Sequence, residues 1–211
     1  ARNGKKVTAV VELMARFDEE SNIKWSKRMQ EEGINVIFGV EGLKVHSKLL
    51  FIEAKNGNIA CVGTGNFHEG NAKVYTDYLM MTARQGIVKE VAKVFDFIEK
   101  PYIHPVFREL MVSPNAMKNR IINMLNTEIK NAKAGKEAWV KVKINHITDK
   151  DVVKKLYEAS MGFSGHRVPL SHIRYAILKS VRLHVGCFVK LSVFDFAVGC
   201  VGCLCVVVAL Q

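Results

Sequence analysis

Cysteine is almost absent from the body of this 211-residue chain. Cys61 stands alone, while Cys187, Cys200, Cys203 and Cys205 crowd the last 25 residues. A single thiol excludes a disulfide framework, and nothing in the body requires an oxidising compartment. The Cys-x-x-Cys-x-Cys run lacks the second ligand cluster that a four-ligand zinc site needs, with His184 as the one further candidate. No signal peptide is visible, and the start at Ala1, at the lip of a strand, reads as a fragment of something longer. The longest uncharged apolar run, residues 196–210, is shorter than the ~20 residues of a spanning helix. Gly199 and Gly202 weaken it further as an isolated helix. Acidic residues are also nearly missing from residues 161–211, which hold Asp195 alone against five basic residues.

That last absence marks a change of character after Ser160. We read residues 161–211 as a divergent hydrophobic, cysteine-rich tail, of the kind that a frame-shifted or mis-joined translation produces. What the chain has in excess is positive charge. The formal net charge is +11 and the isoelectric point is near 9.5, which suits a polyanionic partner: nucleic acid, polyphosphate, nucleotide or an acidic membrane surface. Charge alone does not choose among them.

The first 160 residues alternate strand and helix. Residues 7–14 suit a buried strand, and Asp18, Glu19 and Glu20 open a helix where the macrodipole favours carboxylates. Gly33 stops that helix, and residues 34–38 form the next strand, parallel to the first by a right-handed crossover. Residues 43–52 and 59–62 pair as a hairpin around Asn56-Gly57, and residues 77–82 form another strand. Apolar positions 87, 88, 91, 94, 95 and 98 have helical spacing, ended by Pro101. A second unit begins near Phe107. Residues 110–112 form a short strand, and Ser113-Pro114 makes an N-cap and first helical position. Met117, Ile121, Leu125 and Ile129 form one stripe of the following helix. Residues 139–144 alternate as a strand, and residues 149–160 read as a capped helix. The fold class is α/β, divided into units at 1–106, 107–160 and 161–211.

The chemistry concentrates between residues 42 and 78. His46 and Lys48 lie two apart on the predicted strand and so share a face, together with Lys44. An imidazole beside two ammonium groups suits attack on phosphorus: the ring supplies the lone pair and the cations offset charge on the phosphoryl oxygens. Gly63-Thr64-Gly65-Asn66 follows. Its glycines let backbone N–H groups approach an anion, and Thr64 and Asn66 add side-chain donors. Arg16 lies where a strand enters a helix and suits bidentate phosphate binding. Asp18 and Glu19 read as helix-start acids. Tyr75 and Tyr78 offer rings for stacking on a base, with core packing the default for at least one. His68 follows the glycine loop closely enough to line a site. The other histidines have no comparable context.

The set His46-x-Lys48, Glu53 and Gly-Thr-Gly-Asn resembles the His-x-Lys-x4-Asp…Gly-Ser/Thr-x-Asn pattern of the phospholipase D superfamily, with Glu in place of Asp. Five segments taken together are more specific: Glu-Leu-x-Ala-Arg-Phe-Asp-Glu-Glu (12–20), Gly-Leu-Lys-Val-His-Ser-Lys-Leu (42–49), Gly-Thr-Gly-Asn-Phe (63–67), Tyr-Thr-Asp-Tyr (75–78) and Leu-Met-Val-Ser-Pro (110–114). In this order they resemble the bacterial polyphosphate kinase family, from about Asn3 to Ser160.

The resemblance implies reversible transfer of the terminal phosphate of ATP to polyphosphate with Mg2+. It implies two phospholipase D-like domains, of which the second is only begun here. It makes His46 the phosphorylated nucleophile with Lys48 beside it. It puts Arg16 at the magnesium–phosphate site, Tyr75 at the nucleotide, and Lys44, Thr64, Gly65 and Asn66 at nucleotide and phosphate. Partners implied are ATP or ADP and polyphosphate, with a homo-oligomer for the full-length protein, no specific nucleic acid, and a cytoplasmic location peripheral to the inner membrane. A second histidine and an arginine, supplied in the family by the rest of the second domain, are missing, so the fragment is expected to be inactive alone. Two other readings are a phospholipase D-like phosphodiesterase half-site and a non-catalytic polyanion-binding remnant.

Overall fold

The computed structural model describes residues 1–13, 19–75, 77–138, 140, 146–162, 197–198 and 203–208. Strand β1 (Thr8–Val10) pairs in parallel with β2 (Asn35–Ile37) across helix α1 (Glu19–Glu31), as the apolar and acidic patterns predict. Glu19 and Glu20 occupy the first turn of α1, and Gly33 (φ 76°) ends the excursion.

The expected long strand over residues 43–52 is two: β3 (Lys44–Val45) and β4 (Lys48–Ile52). From β4 the chain turns at Asn56-Gly57 into β5 (Ile59–Gly63), and the short helix α2 (Glu69–Val74), which the apolar pattern did not signal, leads to β6 (Leu79–Thr82). β4, β5 and β6 form one antiparallel sheet. Helix α3 (Gln85–Glu99) packs against it and also against β7 (Leu110–Ser113). The predicted apolar positions of α3 are buried except Phe95, which is partly buried and meets the Phe51 ring at 6.5 Å.

Helix α4 (Met117–Lys133) buries the stripe Met117, Ile121, Leu125 and Ile129. It starts later than Ser113-Pro114 suggests: residues 114–116 form a turn before the helix. Strand β8 (His146–Ile147) precedes helix α5 (Lys150–Gly162), which packs on α4. Asp149 caps α5, its Oδ1 accepting the N–H groups of Asp151 and Val152, both at 3.0 Å. The strand expected over residues 139–144 lies outside the described residues, apart from Val140. Two strands come from the apolar tail. β9 (Ala197–Val198) pairs with β8, and β10 (Cys203–Val208) lies between β3 and β7, parallel to the first and antiparallel to the second. No helix among the described residues is long and apolar enough to cross a membrane.

One apolar cluster runs through both units drawn from the sequence, joining Val40, Ala60 and Val62 to Leu110, Leu125 and Val152 through α3. The boundary at 106/107 is therefore not a gap between separate cores. Within the cluster lies a carboxylate. Glu90 of α3 is 5 % exposed and accepts the backbone N–H groups of Arg108 (2.6 Å), Glu109 (2.9 Å) and Leu110 (2.7 Å). Arg120 of α4 holds the carbonyls of Leu110 (2.6 Å) and Arg108 (2.8 Å) from the other side. Removing a buried acceptor strands its donors, at a cost of roughly 1–3 kcal/mol for each. Glu90→Ala should lower stability by about 3 kcal/mol or more. Urea unfolding should show a lower midpoint, and a loss under about 1 kcal/mol would refute the clamp.

Candidate active site

His46 sits where one strand becomes two. His46 and Ser47 form the break between β3 and β4. The shared face read from the spacing of His46 and Lys48 is therefore not fixed by strand pairing, although Lys48 and Lys44 both act electrostatically on the His46 ring. The lysine comes back to the histidine by another route: Lys48 Nζ donates to the His46 carbonyl at 2.6 Å. Pairing then gathers the remaining motifs. Lys48 lies opposite Gly63, and Gly63 lies opposite Leu79, so residues 42–49, 63–67 and 75–78 meet at one end of the β4–β5–β6 sheet. A Cβ at Gly63 would lie 3.5 Å from Lys48 Cβ and 3.3 Å from Leu79 Cδ1.

The glycine loop is closed on itself. Thr64 N–H donates to the Tyr78 carbonyl (3.0 Å), and Thr64 Oγ1 accepts the Tyr78 N–H (2.9 Å) while donating to Asp77 Oδ1 (3.1 Å). The close approach that Gly65 permits is made by the Asp77 side chain: an added Cβ would fall 1.9 Å from Asp77 Oδ2 and 2.8 Å from its Cβ. Thr64 thus spends its proton inside the loop. Asn66 is exposed.

Tyr75 and Tyr78 are both exposed, at 61 % and 51 %, so neither follows the core-packing default. His68 is taken up by the start of α2, its Nδ1 accepting the Gly70 N–H at 3.1 Å. Arg16, Asp18 and Thr76 lie outside the described residues. Glu12 went unassigned in the sequence, yet its Oε2 accepts the Val45 N–H at 2.8 Å. A carboxylate inside an apolar run was the available signal, since such a group needs a donor.

His46 is open to solvent on one side and dense with protein on the other. Burial, then Lys48, then Lys44 push its pKa down from 6.5 to about 4. The ring is consequently neutral near pH 7, with its lone pair available and ammonium groups close by. Among the described residues no group of three or more His, Cys, Asp or Glu side chains could hold a metal ion.

An α/β fold that gathers an imidazole, ammonium groups and a glycine loop at one sheet end suits phosphoryl chemistry. Residues 1–104 match the family model for polyphosphate kinase C-terminal domain 1, and residues 110–171 match that for C-terminal domain 2. The second match runs past Ser160 into the segment that composition sets apart. The chain is 52 % identical over 162 residues to the polyphosphate kinase of Vibrio parahaemolyticus, covering 75 % of this chain and 23 % of that protein. It is 50 % identical over 164 residues to that of Escherichia coli K12, covering 76 % and 24 %. The crystal structure of polyphosphate kinase from Porphyromonas gingivalis superposes with a TM-score of 0.65 at 38 % identity, over 76 % of this chain and 28 % of that one. The chain belongs to the polyphosphate kinase family. It spans about a quarter of the length of the curated relatives it matches.

Because the folded-state pKa of His46 is depressed, the unfolded chain binds more protons between about pH 6.5 and 4. The imidazole's contribution to stability is complete above that window and is lost as pH falls through it. The His46 ring resonance should titrate near pH 4, and Lys48→Met should move its midpoint upward. A midpoint at the ordinary value in the folded chain would refute the site's electrostatics. The loop makes a separate prediction. Gly65→Ala should destabilise the chain, and Asp77→Gly should recover much of that loss because it removes the atoms the new methyl meets. Equal loss in the single and double variants by thermal unfolding would show that the approach of Asp77 is not the constraint.

Proposed function

We propose that this chain carries the nucleophile half of a polyphosphate kinase, transferring the terminal phosphate of ATP reversibly to polyphosphate through phosphorylated His46. What carries this reading is an imidazole flanked electrostatically by Lys48 and Lys44 in a chain about 50 % identical to named polyphosphate kinases.

In the forward direction the imidazole lone pair attacks the γ-phosphorus of ATP. A P–N bond forms, the bond to the bridging oxygen breaks, and ADP leaves with that electron pair. A terminal oxygen of polyphosphate then attacks the same phosphorus, the P–N bond breaks, and neutral imidazole is restored. Lys44 and Lys48 offset charge on the phosphoryl oxygens in both steps. Exposed Tyr75 would stack on the adenine. Gly65 and Asn66 border the phosphate path, and Thr64 keeps the loop in shape. Mg2+ accompanies the nucleotide phosphates and neutralises their charge when bound. The described residues offer no protein cage for it, and Arg16 is assigned to the magnesium–phosphate position by family resemblance alone.

The fold we infer for the site is phospholipase D-like, with the second such domain incomplete. The resemblance assigns the complementary histidine and arginine to no position matched in this sequence, so the 211-residue chain alone should carry out at most the first half-reaction. Homo-oligomerisation and a cytoplasmic, membrane-peripheral setting are inferred for the full-length protein.

Incubation with γ-labelled ATP and Mg2+ should leave acid-labile label on the chain that vanishes in His46→Ala, without net polyphosphate synthesis. Label that persists in His46→Ala would overturn the carrier assignment. Robust synthesis by the purified chain would overturn the half-site.

A further inference from the structure

We propose that Glu12 is a positioning residue for His46, its carboxylate fixing the broken end of β3 on which the imidazole is carried. Residues 46–47 lie between β3, which pairs with β10, and β4, which pairs with β5, and the last residue of β3, Val45, needs an acceptor for its N–H. Glu12 Oε2 supplies it at 2.8 Å from a position 33 residues earlier in the chain. The bond is charge-assisted and the glutamate is half-buried, so it is stronger than an exposed neutral contact.

The glutamate is itself anchored from two sides. Val11 N–H donates to the Ile37 carbonyl at 2.9 Å, extending the β1–β2 pairing, and Asn22 Nδ2 of α1 donates to the Glu12 carbonyl at 2.9 Å. The path β2–Glu12–Val45–His46 is thus continuous through hydrogen bonds and the chain itself. On the side beyond His46, Lys48 Nζ grips the histidine's own carbonyl. The nucleophile is held by one side chain before the break and one after it. A displacement of about 1 Å in such a group costs on the order of a hundredfold in rate.

The catalytic consequence rests on the phosphohistidine reading, whereas the positional claim does not, and the experiment separates them. Glu12→Gln keeps an acceptor of the same reach. Glu12→Ala removes it, and Glu12→Asp keeps the charge but falls short of Val45. In the full 211-residue chain, Val45 amide exchange should accelerate at least ~10-fold in the Ala and Asp variants, by loss of the protecting hydrogen bond, and stay near the parent rate in Gln. Amides of α3 and α4 should keep their protection. The His46 midpoint should rise in Ala relative to Gln as the ring leaves its partly buried, cation-flanked position. Loss of the Glu12 charge alone would move it downward, so a rise reports position. Labelling from γ-labelled ATP should fall at least ~10-fold in Ala and Asp, as for a misplaced reacting group, and largely survive in Gln.

Identical Val45 exchange and His46 midpoints across the three variants would overturn the proposal. Equal labelling in Ala and Gln would overturn its catalytic part. Should the parent's label survive His46→Ala, the carrier reading falls, while exchange and titration still decide whether Glu12 sets the place of His46.

Discussion

A single buried carboxylate ties this molecule together. Glu90 enters the apolar cluster from α3 and takes three successive N–H groups at the mouth of β7. A polar group in such surroundings is tolerated only if its hydrogen-bonding capacity is met, and here consecutive backbone donors meet it. The consequence is geometric. Helix α3 lies against β4 and β5 with one part of its apolar face and reaches β7 with another. With the entry to β7 fixed to α3, the sheet that bears the glycine loop and the strand that opens the second unit are held to one body. The site is built at the end of that sheet, and its lysine and glycine partners inherit the rigidity of the register Lys48–Gly63–Leu79.

Where physical periodicity was strong, the fold was legible. The parallel pair β1–β2, the hairpin β4–β5 and the buried stripes of α3 and α4 follow from alternation, helical spacing and glycine stops, because each is decided within ten or fifteen residues. The misses have a common cause in longer-range contacts. Nothing within residues 43–52 says that the strand breaks at His46: the break is stabilised from outside by Glu12, more than thirty residues away. Pro114 looks like a first helical residue locally, yet the turn over 114–116 delays α4 to Met117. The apolar tail is a further case. A short continuous apolar run fits a buried strand as well as a helix segment, and β10 takes the strand form between two partners.

The candidate site was legible in its members more than in its wiring. His46, Lys48 and the glycine loop do come together, but the links among them differ from those that residue spacing suggests. Backbone carbonyls and carboxylates make the connections: Lys48 to the His46 carbonyl, Thr64 to Asp77, Glu12 to Val45. Acidic residues near a candidate phosphate site look unsuited to it, since they would repel such a ligand. In this structure two of them serve the framework, one closing the loop and the other holding the strand end. Sequence spacing reports which side chains are available; it does not report which ones are used up by the backbone.

The electrostatic state of the site follows from the same geometry. Partial burial and two ammonium groups each disfavour an imidazolium, and together they favour neutral His46. The chain carries a net charge of +11, and self-repulsion at such a charge has an energetic cost relative to a neutral surface. A dense polyanion reverses the sign of that cost, because each phosphate neutralises a cation that otherwise repels its neighbours. Binding of such a ligand then stabilises the folded chain in proportion to ligand concentration over its dissociation constant. Under the proposed function, the cations that add to burial in disfavouring the imidazolium would also draw a phosphoryl donor toward the ring.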